Sequence, residues 1–382
     1  MVTNSFFNNH DYDLICFSHL RWDFVFQRPQ HLFTRFAQNH RVFFIEEPFF
    51  GDDGPRFEIS QRENGLAVVQ PHLPQGCDVD AVMTDLIVGL KTEKNIENCV
   101  VWFYTPMMIR FADGLEPDVM VYDCMDELSM FKDAAPELME RENELFERAD
   151  LVFTGGQSLF EAKRDKHPAV YAFPSSIDVK HFERALSIDE EPADQKDIPH
   201  PRIGFCGVID ERTDSDLLGR IAELRPEWQF VMIGPIVKIN ENDLPHRDNI
   251  HYLGAMSYND LPAYISGWDV AMMPFAMNDS TRFISPTKTP EYLAAGRPVV
   301  STPIRDVVRP YGEKGLVHIA ATADEFIKAI ETSLIEDVVT RRAKANEYLA
   351  TMSWDKTQSA MAELIDEVIE KRADAASTAA YA

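Results

Sequence analysis

Short runs that are apolar at every position recur along this chain: LICF at 14–17, VFFI at 42–45, CVVWF at 99–103, VMVY at 119–122 and LVF at 151–153. A strand with one wet face alternates apolar and polar residues, whereas a strand covered on both faces does not. Between these runs, the stretches 29–39, 79–90 and 136–148 carry apolar residues at helical spacing. Strands alternating with helices build a parallel sheet with helices on both faces. The pattern lapses at 187–200, SIDEEPADQKDIPH, which is acidic, contains proline and lacks apolar periodicity. It then restarts, with strands expected at 202–209, 228–233, 250–253, 270–274, 299–302 and 316–319 and helices at 214–224, 260–267 and 290–295. A helical stretch at 323–350 with a break near Glu336 and another at 356–372 follow. The expected architecture is α/β: two Rossmann-like doubly wound domains facing across a cleft. Residues 1–186 form the first domain, 187–200 a linker and 201–353 the second. A helix at 354–372 and a tail at 373–382 complete the chain, and the tail's small and polar residues read as disordered.

With 382 residues the chain exceeds one typical core, and 45% hydrophobic residues including 25 Phe can fill two. A formal net charge of −26 argues against sequence-blind nucleic-acid binding, which needs a basic surface. Five cysteines, at 16, 77, 99, 124 and 206, include no CxxC pair, and all but Cys77 lie in or beside apolar runs. They read as buried thiols in a reducing compartment. The segment MVTNSFFNNHDYD lacks the basic-then-apolar pattern of a signal peptide, and no apolar run reaches transmembrane length. The expected location is cytoplasmic, with any membrane contact peripheral, at the inner face and through a local patch.

Five stretches carry chemistry. In SPTKTPEYLAAGRPVV (285–300) Thr289 fits an N-cap, Pro290 the first helical position and Gly296 the C-terminal stop. Lys288 and Glu291 then stand at a helix start that suits a phosphate-bearing ligand. In RIGFCGVIDER (202–212) Gly207 ends a strand and Arg212 follows in the loop, where it can converge with Lys288 on a diphosphate. No GxGxxG is present, so a dinucleotide-dependent oxidoreductase loses its main support. IHYLGAM (250–256) runs from a strand into a loop with Gly254, able to present backbone groups to a flat base. SHLRWDFVFQRPQH (18–31) places His19, Arg21, Trp22, Asp23 and Arg28 past a strand end, as a sugar-binding loop requires, or else Trp22 and Phe24 pin the helix by packing. VYDCMDE (121–127) crowds Asp123, Asp126 and Glu127, and like charges raise a carboxylate towards the range of a useful base, although Asp126 also fits a helix N-cap. Asp78–Asp80 and Asp214–Asp216 have Asp-x-Asp spacing but read as helix starts. No HxH or HExxH occurs, so no metal and no cofactor are expected.

SPTKTPEYLAAGRPVVST resembles the nucleotide-sugar signature of GT-B-fold glycosyltransferases, nearest to family 4-like bacterial enzymes. RWDFVFQRPQHLFTRFA is similar to the opening of teichuronic-acid and capsule-type polysaccharide transferases. VYDCMDE, RIGFCGVIDERTD, FVMIGP, HYLGAMSYNDLPAYISGWDVAMMPF and SWDKT fall in that family's order. The resemblance implies that Glu291 holds the donor ribose, that Lys288 with Ser285 and Thr287 holds the diphosphate, and that Gly207 and Arg212 line the same pocket. Tyr252, Gly254 and Met256 would meet the base. Many relatives carry a glutamate eight residues before the ribose glutamate; Phe283 stands there instead. Asp126 sits where inverting relatives have an aspartate base, with Asp123 and the 18–31 loop on the acceptor side. The helix after Trp354 would cross back to the first domain. The implied partners are a nucleotide diphosphate sugar, uridine-based, and a saccharide or lipid-linked acceptor. A non-catalytic sugar-nucleotide-binding subunit and a GT-B-fold sugar-nucleotide epimerase are the alternatives.

Overall fold

The computed structural model describes residues 11–380. Residues 1–10, which carry most of the segment read for a signal peptide, and 381–382, the end of the expected tail, lie outside the described residues. The chain divides into two compact units, one of residues 11–155, 159–173 and 355–380, the other of residues 156–158 and 174–354. The boundary near 174 precedes the expected one at 187, and the physical reason lies in the 187–200 segment itself. Gln195 is buried, donating to the Tyr264 carbonyl at 2.8 Å and accepting from the Trp268 indole at 3.0 Å. Asp194 accepts from the Tyr264 hydroxyl at 3.0 Å. This stretch is therefore fastened to the second unit and is not a free linker. Its acidic composition hid two side chains that pay their way in hydrogen bonds.

The first unit holds nine strands: β1 (Asp13–Phe17), β2 (Val42–Ile45), β3 (Phe49–Gly51), β4 (Arg56–Gln61), β5 (Leu66–Pro74), β6 (Cys99–Phe103), β7 (Val119–Cys124), β8 (Leu151–Thr154) and β9 (Val170–Ala172). Their order is β3-β5-β2-β1-β6-β7-β8-β9, with β4 paired antiparallel to β5 and every other pair parallel. Strands β1, β2, β6, β7 and β8 are buried along their whole length, which is why they are apolar at nearly every position. β3 and β4 lie outside the expectation. They are largely exposed and polar or short, so the apolar-run criterion passes over them. The C-terminal helix Trp354–Ala380 packs Met361 and Ile365 into the interior. Within the first unit Asp355 pairs with Arg35 at 2.6 Å, and Arg372 pairs with Asp150 at 2.6 Å. Residues 373–380, expected to be disordered, continue this helix. Alanine is the best helix former, and the run ADAASTAA is mostly alanine.

The second unit is a sheet of six parallel strands: β10 (Arg202–Cys206), β11 (Gln229–Ile233), β12 (Ile250–Gly254), β13 (Val270–Met273), β14 (Val299–Ser301) and β15 (His318–Ile319). The order is β12-β11-β10-β13-β14-β15. β10 pairs β11 on one side and β13 on the other, so the winding reverses at β10. Ligands of open parallel sheets sit beyond the carboxyl ends of strands at such a reversal. Cys16, Cys99, Cys124 and Cys206 are buried free thiols. No helix among the described residues is long and apolar enough to cross a membrane.

Candidate nucleotide-sugar site

Two glycines meet at the carboxyl ends of the central strands. Gly207 follows β10 and donates its N–H to the Ile233 carbonyl at 2.8 Å. Gly234 follows β11, and a Cβ there would lie 1.8 Å from the Gly207 carbonyl oxygen. No side chain fits between the two strand ends, so they close to backbone contact. On the other side of Gly207 lies Lys288: a Cβ on Gly207 would sit 2.9 Å from Lys288 Cε. The lysine stem therefore runs across the end of β10.

Lys288 opens the helix Lys288–Ala294. The sequence places the cap at Thr289; in the structure Thr287 is the N-cap and Thr289 is buried at the second helical position, its hydroxyl 3.5 Å from Met273 Sδ. Pro290 at the third helical position still omits only an N–H that the first turn leaves unpaired. The helix ends as expected. Gly296 has φ +75, its N–H reaches the Leu293 carbonyl at 3.0 Å, and Arg297 N–H reaches Tyr292 O at 3.0 Å. With seven residues the helix has a small dipole, and the lysine itself supplies the site's charge.

Glu291 is buried, 7% exposed, three residues after Lys288. Burial pushes its carboxyl up, while the Lys288 charge and a hydrogen bond from Thr287 pull it down. Lys288 Nζ is also 3.4 Å from Thr287 Oγ1, so Thr287 touches both charged neighbours. Ser285 offers its carbonyl to Ser175 Oγ at 2.6 Å. Arg212 is clasped by Asp210: Nε lies 3.0 and 3.1 Å from the two oxygens and Nη2 2.7 Å from Oδ2. The loop carrying them is tied to residues 274–276 by Asp214 N–H to Pro274 O and Ala276 N–H to Arg212 O, both 2.8 Å. Gly254 ends β12 with φ +78, and its carbonyl accepts from Gly234 N–H at 2.8 Å. Tyr252 turns its hydroxyl to the Pro245 carbonyl at 3.3 Å, and Met256 packs on the second unit's core. Phe283 is half-buried, with the Arg282 guanidinium 5.2 Å from its ring.

Gly207, Lys288, Thr287 and Glu291 are thus brought together. Three partners escaped the sequence reading. Tyr292 is fully buried, its hydroxyl accepting from Cys206 N–H at 2.8 Å and lying 3.2 Å from Cys206 O, so it bolts the helix to the end of β10. Gly234 and Asp210 are the others. Their signals were present: a glycine ending each of two successive strands, and an aspartate two residues before the arginine.

In the first unit the picture differs. Asp123 is fully buried and pairs bidentately with Arg28, at 3.0 and 2.9 Å, while Arg28 also donates to the Phe173 carbonyl at 2.7 Å. Both were expected on the acceptor side; both are interior. Trp22 is 9% exposed, packs edge-on to Phe44 at 4.9 Å and donates its backbone N–H to the Glu46 carboxylate at 2.8 Å, so the packing reading holds for it. Arg21 lies over the Phe49 ring at 3.8 Å and contacts Glu46 at 3.1 Å. Asp23 pairs with Arg62 at 2.6 Å on the surface, and His19 is half-buried. The three carboxylates of 121–127 do not crowd as a group: Asp123 is held by Arg28 and Glu127 by Lys163 at 2.8 Å. Asp126 is half-buried beside them. The Asp-x-Asp pairs begin helices, with Asp78 capping Ala81 N–H at 3.2 Å and Asp214 capping Leu217 N–H at 2.9 Å.

Residues 200–337 match the family model described as glycosyl transferases group 1. A Bacillus subtilis protein named as the teichuronic acid biosynthesis glycosyltransferase TuaH is 22% identical over 230 residues, 54% of this chain and 56% of that protein. The match therefore spans about half the length of that relative. The sucrose-phosphate synthase of Thermosynechococcus elongatus superposes with a TM-score of 0.72 at 13% identity, over 94% of this chain and all of that one. The Escherichia coli trehalose-6-phosphate protein solved with UDP-2-fluoro glucose bound gives 0.67 at 12% identity, over 92% and 98% of the two chains. The chain has the GT-B fold, and its residues 200–337 are similar to the glycosyl transferases group 1 family.

Proposed function

We propose that the chain transfers a sugar from a nucleotide diphosphate sugar, uridine-linked, to a saccharide or lipid-linked acceptor in polysaccharide synthesis. The observation that carries this reading is the Lys288 stem lying across Gly207 with Glu291 buried one turn on. A cation beside a bare strand end meets a diphosphate, and a buried carboxylate next to it accepts from ribose hydroxyls. Lys288, with Arg212 positioned by Asp210, stabilises the charge that grows on the departing diphosphate and fills the role a metal ion plays elsewhere. Ser285 and Thr287 flank the phosphates, and Tyr252, Gly254 and Met256 border the base. The relatives support the donor class, since one is a named glycosyltransferase and one was solved with a uridine diphosphate sugar. Asp126 takes the acceptor hydroxyl's proton if the reaction inverts. A lipid-linked acceptor implies peripheral membrane contact, for which the exposed Phe24, Phe26, Phe49 and Phe50 of the first unit are suited.

The test is donor turnover, as transfer or as release of uridine diphosphate, by the Lys288→Ala variant. Turnover should be lost with the fold retained. Wild-type turnover in that variant would remove the reading.

A further inference from the structure

A second concentration of positive charge lies in the second unit, at the opposite end of its sheet. Arg297, Arg341 and Arg342 line one pocket of about 320 Å³, just before β14 begins. Two of them are braced. Arg297 donates to Trp268 O at 2.6 Å and Ala295 O at 3.3 Å. Arg341 donates to Gly296 O at 2.9 Å and stands 3.6 Å from Glu336. Arg342 is half-buried and makes no hydrogen bond and no ion pair among the described residues. The pocket's two carboxylates are already engaged. Asp269 accepts from Arg202 N–H at 2.6 Å and from His200 at 2.7 Å, and Glu336 is held by His318 as well as Arg341. Three guanidiniums against two occupied carboxylates leave the pocket positive, in a chain whose formal charge is −26. Burial holds Arg297 below its ordinary range; the Asp269 carboxylate opposes this, and the Arg341 and Arg342 charges add to it. The rim is apolar: Leu186, Leu334 and Val338 are 38, 38 and 49% exposed.

We propose that this pocket binds a phosphate group borne on an apolar or carbon body, with Arg342 as its principal ligand. Guanidinium forks match phosphate oxygens in pairs, and the braced Arg297 and Arg341 are pre-positioned to add to that contact. The site is separate from Lys288, although both touch the same helix: Lys288 opens it, and Gly296 and Arg297, just past its end, line the pocket.

The test titrates inorganic phosphate into the full chain by calorimetry at constant ionic strength. Wild type and Lys288→Ala should both show saturable binding. Arg342→Gln, which breaks no bond within the protein, should weaken it at least about tenfold. A second arm measures co-sedimentation with phosphatidylglycerol vesicles, using phosphatidylcholine as the control. Retention that Arg342→Gln abolishes assigns the phosphate to a lipid headgroup, and phosphate binding without such retention assigns it to a soluble ligand. Absence of saturable phosphate binding, binding untouched by Arg342→Gln, or binding lost in Lys288→Ala would each overturn the proposal.

Discussion

Replacing Gly207 by alanine is expected to weaken donor binding chiefly by displacing Lys288. The added Cβ would stand 2.9 Å from Lys288 Cε and 3.1 Å from Phe205 Cζ. Carbon atoms pack at about 3.5–4.0 Å, so Cε must withdraw by about 0.6 Å or more. Lys288 is half-buried and can give way, while the φ of +155 at Gly207 strains an alanine in either background and costs stability. The loss falls on the ligand. A hydrogen bond to a charged group is worth about 1.5–3 kcal/mol, so displacing the ammonium from a diphosphate should raise the Kd for uridine diphosphate by about ten- to a hundredfold. Calorimetry on wild type, Gly207→Ala, Lys288→Ala and the double variant forms a closed cycle. Any backbone effect of the alanine is common to both backgrounds and cancels. If Gly207 serves to admit the lysine stem, its replacement costs far less affinity once Lys288 is gone, any remainder being the shared backbone effect. Full additivity of the two effects would refute that reasoning.

Other consequences follow from the same geometry. Glu291 is held above its ordinary value of 4.5 mainly by burial, so its ionisation opposes folding and that cost grows as pH rises through the window above 4.5. Glu291→Gln should therefore raise the melting temperature at neutral pH, with the gain shrinking towards pH 4 in thermal scans, while uridine diphosphate binds less tightly. Asp123→Asn leaves the Arg28 charge buried without its partner and should destabilise the protein by about 3–5 kcal/mol in denaturant titrations; an unaltered midpoint would show that the pair is not structural. Tyr292→Phe strands the Cys206 N–H and should lower stability by about 1–3 kcal/mol, with uridine diphosphate affinity falling as well because Gly207 is the next residue.

Much of the fold was legible because burial on both faces writes itself into a sequence. β1, β6 and β7 are apolar at nearly every position since helices cover both sides, and the break at Glu336 shows as a lapse in helical spacing. β3 and β4 were not legible, being short or exposed strands that pair β5, one parallel and the other antiparallel, without burying an apolar run. The grouping of Lys288, Thr287 and Glu291 was legible because they lie within five residues at the start of one short helix. The first unit's loops were misread in part for the opposite reason. Arg28 and Asp123 are 95 residues apart, and their ion pair exists only after β1 and β7 have joined one sheet. A polar residue after a strand looks the same in sequence whether it awaits a ligand or a partner from elsewhere in the chain.

A crystal structure of the chain with uridine diphosphate tests the central claim most directly. The diphosphate should lie at the carboxyl end of β10, with its oxygens within hydrogen-bonding reach of Lys288 Nζ and the ribose hydroxyls on the Glu291 carboxylate. A nucleotide bound elsewhere, or in place but with Lys288 and Glu291 out of reach of it, would contradict the account.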